Sequence, residues 1–149
     1  MEFQISAIKN GTVIDHLPTD TALKVVEILD LKNFRETVTV AFNLTSNSLG
    51  KKGIVKVACR TLTKEELEKI SLIAPGATIN IIEDFKVKEK KEVPEPKEIN
   101  GIVKCNNSRC ITNSEKVETK FLNESDSHGR KYRCIYCEKV IKYTDIILK

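Results

Sequence analysis

Four of the five cysteines in this 149-residue chain, Cys105, Cys110, Cys134 and Cys137, are spaced CxxxxC, then 23 residues, then CxxC. Two short loops that each present a pair of thiolates suit one tetrahedral Zn2+ per chain. With sulfur in all four positions, no coordination place is left for a substrate or an activated water, so such a centre organises structure rather than catalyses. The stretch between the pairs is short and poor in large apolar side chains, and metal binding would supply the missing stability, on the order of 10–16 kcal/mol for small zinc modules. The same spacing also admits two disulfides or an iron site of equal geometry. His128 lies inside the interval and could replace one thiolate, although four sulfurs already complete the shell.

A second group of charged residues sits on β-prone segments. In GTVIDH, strict alternation places Asp15 opposite Ile14 and His16; in IVKVAC, Lys56 interrupts an apolar run; in FKVKEK, Lys86, Lys88 and Lys90 share one side. Lysines on strands either snorkel at a sheet edge or gather around an anion such as a phosphate, with Asp15 then free to accept from a sugar hydroxyl. Spacing alone does not separate the two. The remaining chemistry is sparse: two histidines, no phosphate-binding glycine loop and no HExxH. An enzyme is not indicated.

The elements that must hold these groups follow from pattern. FQISAIKNGTVIDHL reads as two strands about Asn10-Gly11. TDTALKVVEILDLK is a helix with Ala22, Val25, Val26 and Leu29 inward and Thr19 or Asp20 as N-cap. TVTVAFNL and the run from Ile54 to Thr61 are strands, with Cys59 expected as a buried strand residue. Thr63 to Glu66 is a capping box opening a second helix that Pro75-Gly76 ends, and ATINIIEDF is a further strand. The order β, α, β, β, α, β predicts an α+β fold, a ferredoxin-like antiparallel sheet with two helices on one face. KVKEKKEVPEPKE, charged and twice interrupted by proline, reads as an extended connector. It divides residues 1–92 from a small all-β four-cysteine zinc domain, residues 93–149.

Residues 1–98 carry 15 basic and 15 acidic side chains, while residues 99–149 carry 10 and 6, so the net charge of +4 resides in the cysteine module. A basic zinc module admits a zinc-ribbon nucleic-acid-binding accessory protein, but 5% aromatic content and no Trp leave little for base stacking. No run approaches the roughly 18 apolar residues of a membrane span. The N-terminus lacks the pattern of a signal peptide, which predicts a cytoplasmic chain.

Four segments, AIKNGTVIDHLP, NLTSNSLGKKGIVKV, LIAPGATINIIEDFKV and the pair CNNSRC with CIYCEKV, make the chain resemble the regulatory chains of aspartate carbamoyltransferase over nearly its whole length. That resemblance implies a non-catalytic subunit in pyrimidine biosynthesis whose first domain binds CTP and ATP and whose zinc domain docks on the catalytic chain. It also implies a homodimer of regulatory chains, and no nucleic-acid or membrane partner. By position, Asp15 and Lys56 would bind the ribose, Lys90 the phosphates with His16 near them, and Ile8, Ile82, Phe85 and Val87 would line the base pocket. Asn107, Arg109 and Glu138 would meet the catalytic chain. Ser6, Phe85 and Arg109 stand where relatives carry an acidic residue, a tyrosine and an asparagine.

Overall fold

The computed structural model describes residues 8–46 and 50–149. They form two compact units, Met1–Glu95 and Pro96–Lys149. In the first, β1 (Gly11–Leu17), α1 (Thr19–Ile28), β2 (Val38–Ser46), β3 (Gly50–Ala58), α2 (Lys64–Ile73), β4 (Thr78–Glu83) and β5 (Lys86–Glu92) follow one another. The sheet order β2-β3-β1-β4-β5, antiparallel throughout, is the ferredoxin-like arrangement with one strand added beside β4. Ile14, Leu17, Val55, Val57 and Ile79 are buried, as are Ala22 and Val25 of α1, Leu29 just past its end, and Ile70 and Ile73 of α2. A Cβ at Gly53 would come 2.9 Å from the Ala22 Cβ, so a small pair lets α1 lie close to β3.

Several expectations change. β5 is KVKEKKE, the segment whose composition suggested a connector. Every one of its side chains is exposed, because an edge strand needs only backbone pairing with β4 and its charges keep other strands off. Helix α1 has Pro18 before it and no side-chain cap; the Pro18 carbonyl accepts from Thr21 and Ala22, with Thr19 already helical. Residues 3–7 of the first arm of the hairpin about Asn10-Gly11 lie outside the described residues, and Ile8, Lys9 and Asn10 are not in a strand. Gly11 itself belongs to β1, where a Cβ would fall 2.2 Å from the Val57 carbonyl oxygen. Cys59 is exposed, in the left-handed region (φ 58°) just past β3.

The capping box at α2 forms as read: the Thr63 N–H donates to Glu66 Oε1 (2.9 Å) and the Glu66 N–H to Thr63 Oγ1 (3.2 Å). Arg60 extends it. Its guanidinium donates to the Leu29 carbonyl at the end of α1 (2.8 Å), pairs with Glu66 Oε2 and lies 5.4 Å from the Phe34 ring centre. One side chain therefore ties the end of α1 to the start of α2.

The second unit contains β6 (Glu98–Asn100), β7 (Val103–Lys104), α3 (Ile111–Ser114), β8 (Lys120–Asn123), β9 (Lys131–Cys134), β10 (Val140–Lys142) and β11 (Ile147–Leu148). A four-stranded sheet, β10-β9-β8-β6, stands beside the β11-β7 pair. Its core is small: Ile99, Ile102, Val103, Phe121, Tyr132 and Ile141, with the buried Thr119 hydroxyl donating to the Val103 carbonyl (2.7 Å).

Because Arg60 makes two charge-assisted bonds, Arg60→Ala is expected to lower the stability of the first unit by about 2 kcal/mol. Arg60→Lys should recover less than half of this, since one ammonium cannot serve both partners with planar geometry. Urea denaturation of the zinc-loaded chain, followed by far-ultraviolet circular dichroism, measures both. An unchanged midpoint for Arg60→Ala would remove the staple from the account.

Candidate functional site

Two sites emerge, one in each unit. In the second unit, the Sγ atoms of Cys105, Cys110, Cys134 and Cys137 all lie within 4.8 Å of one another. The Cys105–Cys137 sulfurs are 3.6 Å apart and the Cys110–Cys134 sulfurs 3.8 Å. Four Zn–S bonds of about 2.3 Å at tetrahedral angles require an S···S edge of about 3.8 Å, whereas a disulfide needs about 2.05 Å. All four are free thiols, so the disulfide alternative falls and the cage fits one structural zinc. His128 is exposed in the β8–β9 connection and stands outside the cluster, its N–H donating to Asp126 Oδ1.

The local chain explains the cage. Asn107 accepts from the Arg109 N–H through its side chain (3.1 Å) and from the Cys110 N–H through its carbonyl (2.9 Å). Asn113 Nδ2 donates to the carbonyls of Cys105 and Asn107 (both 2.8 Å) and closes the first loop. The second loop turns at Glu138 (φ 64°), whose N–H donates to the Cys134 carbonyl, while Arg133 donates to the Glu138 carbonyl and pairs with Glu124. From the protein groups alone, burial pushes the Cys105 thiol up to about 12 and Cys134 upward as well. Burial acts on Cys137 in the same sense, but hydrogen bonds from the Asn107 side chain and the Lys139 backbone bring it down to about 7. A divalent cation offsets the penalty of ionising buried thiols and would fill its shell with these four sulfurs.

In the first unit, the face of the sheet that no helix among the described residues covers carries the second site. Paired residues of antiparallel strands point to the same face, and one row reads Lys90, Asn80, Val13, Lys56, Thr39 across all five strands. The next row is Val87, Ile82, Gly11, Ala58, and a third is Glu92, Thr78, Asp15. Lys90 and Lys56 are three strands apart, about 14 Å, a span for a ligand rather than for a single ion pair.

Of the three bulges among the described residues of the sheet, those in β1 and β5 bear on these charged residues and overturn simple alternation. His16 (φ 59°) is an extra residue opposite β3, so Leu17 returns to the buried side and the His16 ring joins Asp15's face, with Nδ1 3.0 Å from Thr78 Oγ1. Lys88 is the extra residue of β5, so Lys86, Lys88 and Lys90 do not share one side. Lys88 pairs with Glu83 (2.6 Å) at the turn, and Lys90 alone of the three joins the row of Lys56. His16, Thr78, Lys90 and Glu92 line one cavity of about 550 Å3.

Asp15 is bound to Lys52 at 2.8 Å and accepts from the His16 N–H. Sequence reasoning missed Lys52, although its i, i+4 spacing from Lys56 in KKGIVK was a usable signal. Burial lowers the Lys56 pKa, with the charge of Asp15 acting the other way. At the far end, Ile8 packs against Val13, Ile54 and Ile82, while Phe85 and Val87 are 64% and 58% exposed. Asp84 and Phe85 form a two-residue turn with φ 50° and 65°, the geometry usually reserved for Asn-Gly. The face thus has an apolar end, a charged middle and a cavity holding His16 and Lys90. Ser6 lies outside the described residues.

Comparison with known proteins agrees with this division. The model of the aspartate carbamoyltransferase regulatory chain, allosteric domain, matches residues 3–94, and that of its metal binding domain matches residues 97–147. Aspartate carbamoyltransferase regulatory chains of Pyrococcus abyssi (49% identical over 148 residues, 98% of this chain and 97% of the relative), Thermococcus sibiricus (47% over 146 residues, 98% and 96%) and Bacteroides fragilis (46% over 145 residues, 97% and 94%) are similar throughout.

Stripping the cation with a chelator is expected to abolish amide-exchange protection in β8, β9 and the two cysteine loops while the strands β1 to β4 keep theirs. Hydrogen exchange read by mass spectrometry decides this; unchanged protection around Cys105–Cys137 would mean that the second unit folds without metal.

Proposed function

This chain belongs to the aspartate carbamoyltransferase regulatory chain family, and on that basis we propose that it is a non-catalytic cytoplasmic subunit that binds CTP as inhibitor and ATP as activator. The observation that carries this is the cross-strand row that joins Lys56 to Lys90, with Asp15 in the neighbouring row of the same sheet face, which no helix among the described residues covers. An apolar platform of Ile8, Ile82, Phe85 and Val87 would receive the base. Asp15 and Lys56 would bind the ribose, Asp15 exchanging the Lys52 ammonium for sugar hydroxyls. Lys90 would hold the phosphates, with His16 beside it in the same cavity.

The zinc centre has no place for a reactant and would serve as a docking element for the catalytic chain through Asn107, Arg109 and Glu138. Apolar side chains immediately beside the ligands support this: Ile111, Ile135 and Tyr136 are 44%, 40% and 46% exposed on loops that the cation holds rigid. For a homodimer, the support lies in strand edges. β5 carries charge along its whole edge, but β2, VTVAFNLTS, has no charged residue in nine and exposes Phe42, so a second copy of this chain would pair there. A nucleotide changes catalysis only by binding two quaternary states unequally, with coupling of about 1–3 kcal/mol. The segment around Pro94 and Pro96 and the metal unit would pass that difference to the catalytic chains.

Two experiments test the proposal. In complexes reassembled with catalytic trimers, Lys90→Ala should weaken CTP and ATP together by at least about tenfold, the loss expected of a charge-assisted bond, and leave assembly intact. Calorimetric titration showing native affinity for both nucleotides would remove Lys90 from the site. Phe42→Lys should shift the isolated chain from dimer to monomer by sedimentation, and an undiminished dimer would place the interface elsewhere.

A further inference from the structure

The turn between β4 and β5 is strained, and it is held from outside. Phe85 has φ 65°, a conformation in which a bulky side chain is rare and strained. Its ring is 64% exposed, so packing does not fix its place and the backbone must. Both central amides of the turn are tied to the segment that precedes β1: the Phe85 N–H donates to the Lys9 carbonyl (2.9 Å) and the Asp84 N–H to Asn10 Oδ1 (3.3 Å). The Asn10 carbonyl accepts in turn from the Cys59 N–H (2.9 Å) at the end of β3. One residue therefore joins three elements at the start of β1: its backbone carbonyl reaches the end of β3, and its side chain alone reaches Asp84 in the β4–β5 turn.

We infer that Asn10 is a positioning residue that sets nucleobase affinity by holding the Asp84–Phe85 turn where the Phe85 ring can meet the base. This rests on the nucleotide reading of the same face. Asn10 lies at the apolar end, whereas Lys90 and His16 line the separate cavity, so its effect falls on the base and not on the phosphates. Asn10 is exposed, so its replacement leaves the buried core untouched.

The test compares CTP, ATP and inorganic triphosphate by calorimetry on the full, zinc-loaded chain. Asn10→Ala should weaken CTP and ATP about threefold to tenfold, the worth of one hydrogen bond, and leave triphosphate unchanged. Asn10→Asp keeps the acceptor oxygen and should bind both nucleotides within about twofold of the parent. In a Phe85→Gly background the left-handed turn is unstrained, so Asn10→Ala should there lower amide protection at Glu83 and Lys86 less than it does in the parent. Unchanged CTP and ATP affinity in Asn10→Ala, or an equal loss for triphosphate, would overturn the inference. A parent chain that binds no nucleotide would instead overturn the reading on which it rests.

Discussion

Hydrogen bonding of β1 along both edges is the constraint on which the first unit depends. Its register against β3 and β4 decides which side chains go under the helices and which face outward. Gly11 is required because β3's backbone approaches too closely for any side chain. At the other end, the His16 bulge lets Leu17 fill the core while His16 and Asp15 stay on one face. Without that extra residue, alternation would bury His16 and expose Leu17, exchanging a core side chain for a polar one. Core packing and the charged face are thus two consequences of one register.

The units solve the stability problem differently. The first has an apolar layer between sheet and helices, tightened by Arg60 at the helix ends. The second has six core side chains and buries three of its four thiols, an arrangement that is unfavourable without a cation. Asn107 and Asn113 use their side chains to hold the first loop, so the metal-bound shape is prescribed by the chain as well as by the ion. A rigid surface with exposed apolar side chains follows from that closure.

Strain and strand edges are distributed unevenly over the first unit. The β5 edge is guarded by charge and the β2 edge is not, which leaves one direction for edge pairing. The left-handed Phe85 sits at the apolar end of the open face, with its side chain exposed, and not in the core.

What the sequence by itself determined are the features encoded by short spacings: the four-cysteine cage, the Thr63–Glu66 capping box, the two helices and the order of strands. In each, the interacting residues are close in sequence or obey a fixed stereochemical rule. Tertiary structure alone decided that KVKEKKE is a strand, since its backbone pairs with β4 whatever its side chains. It alone showed that Cys59 is exposed, that Lys52 engages Asp15, and that Lys90 but not Lys86 joins the row of Lys56. Bulges make the difference: a single unpaired residue reverses the facing of everything after it, and whether one forms depends on how distant strands register, which no local pattern records.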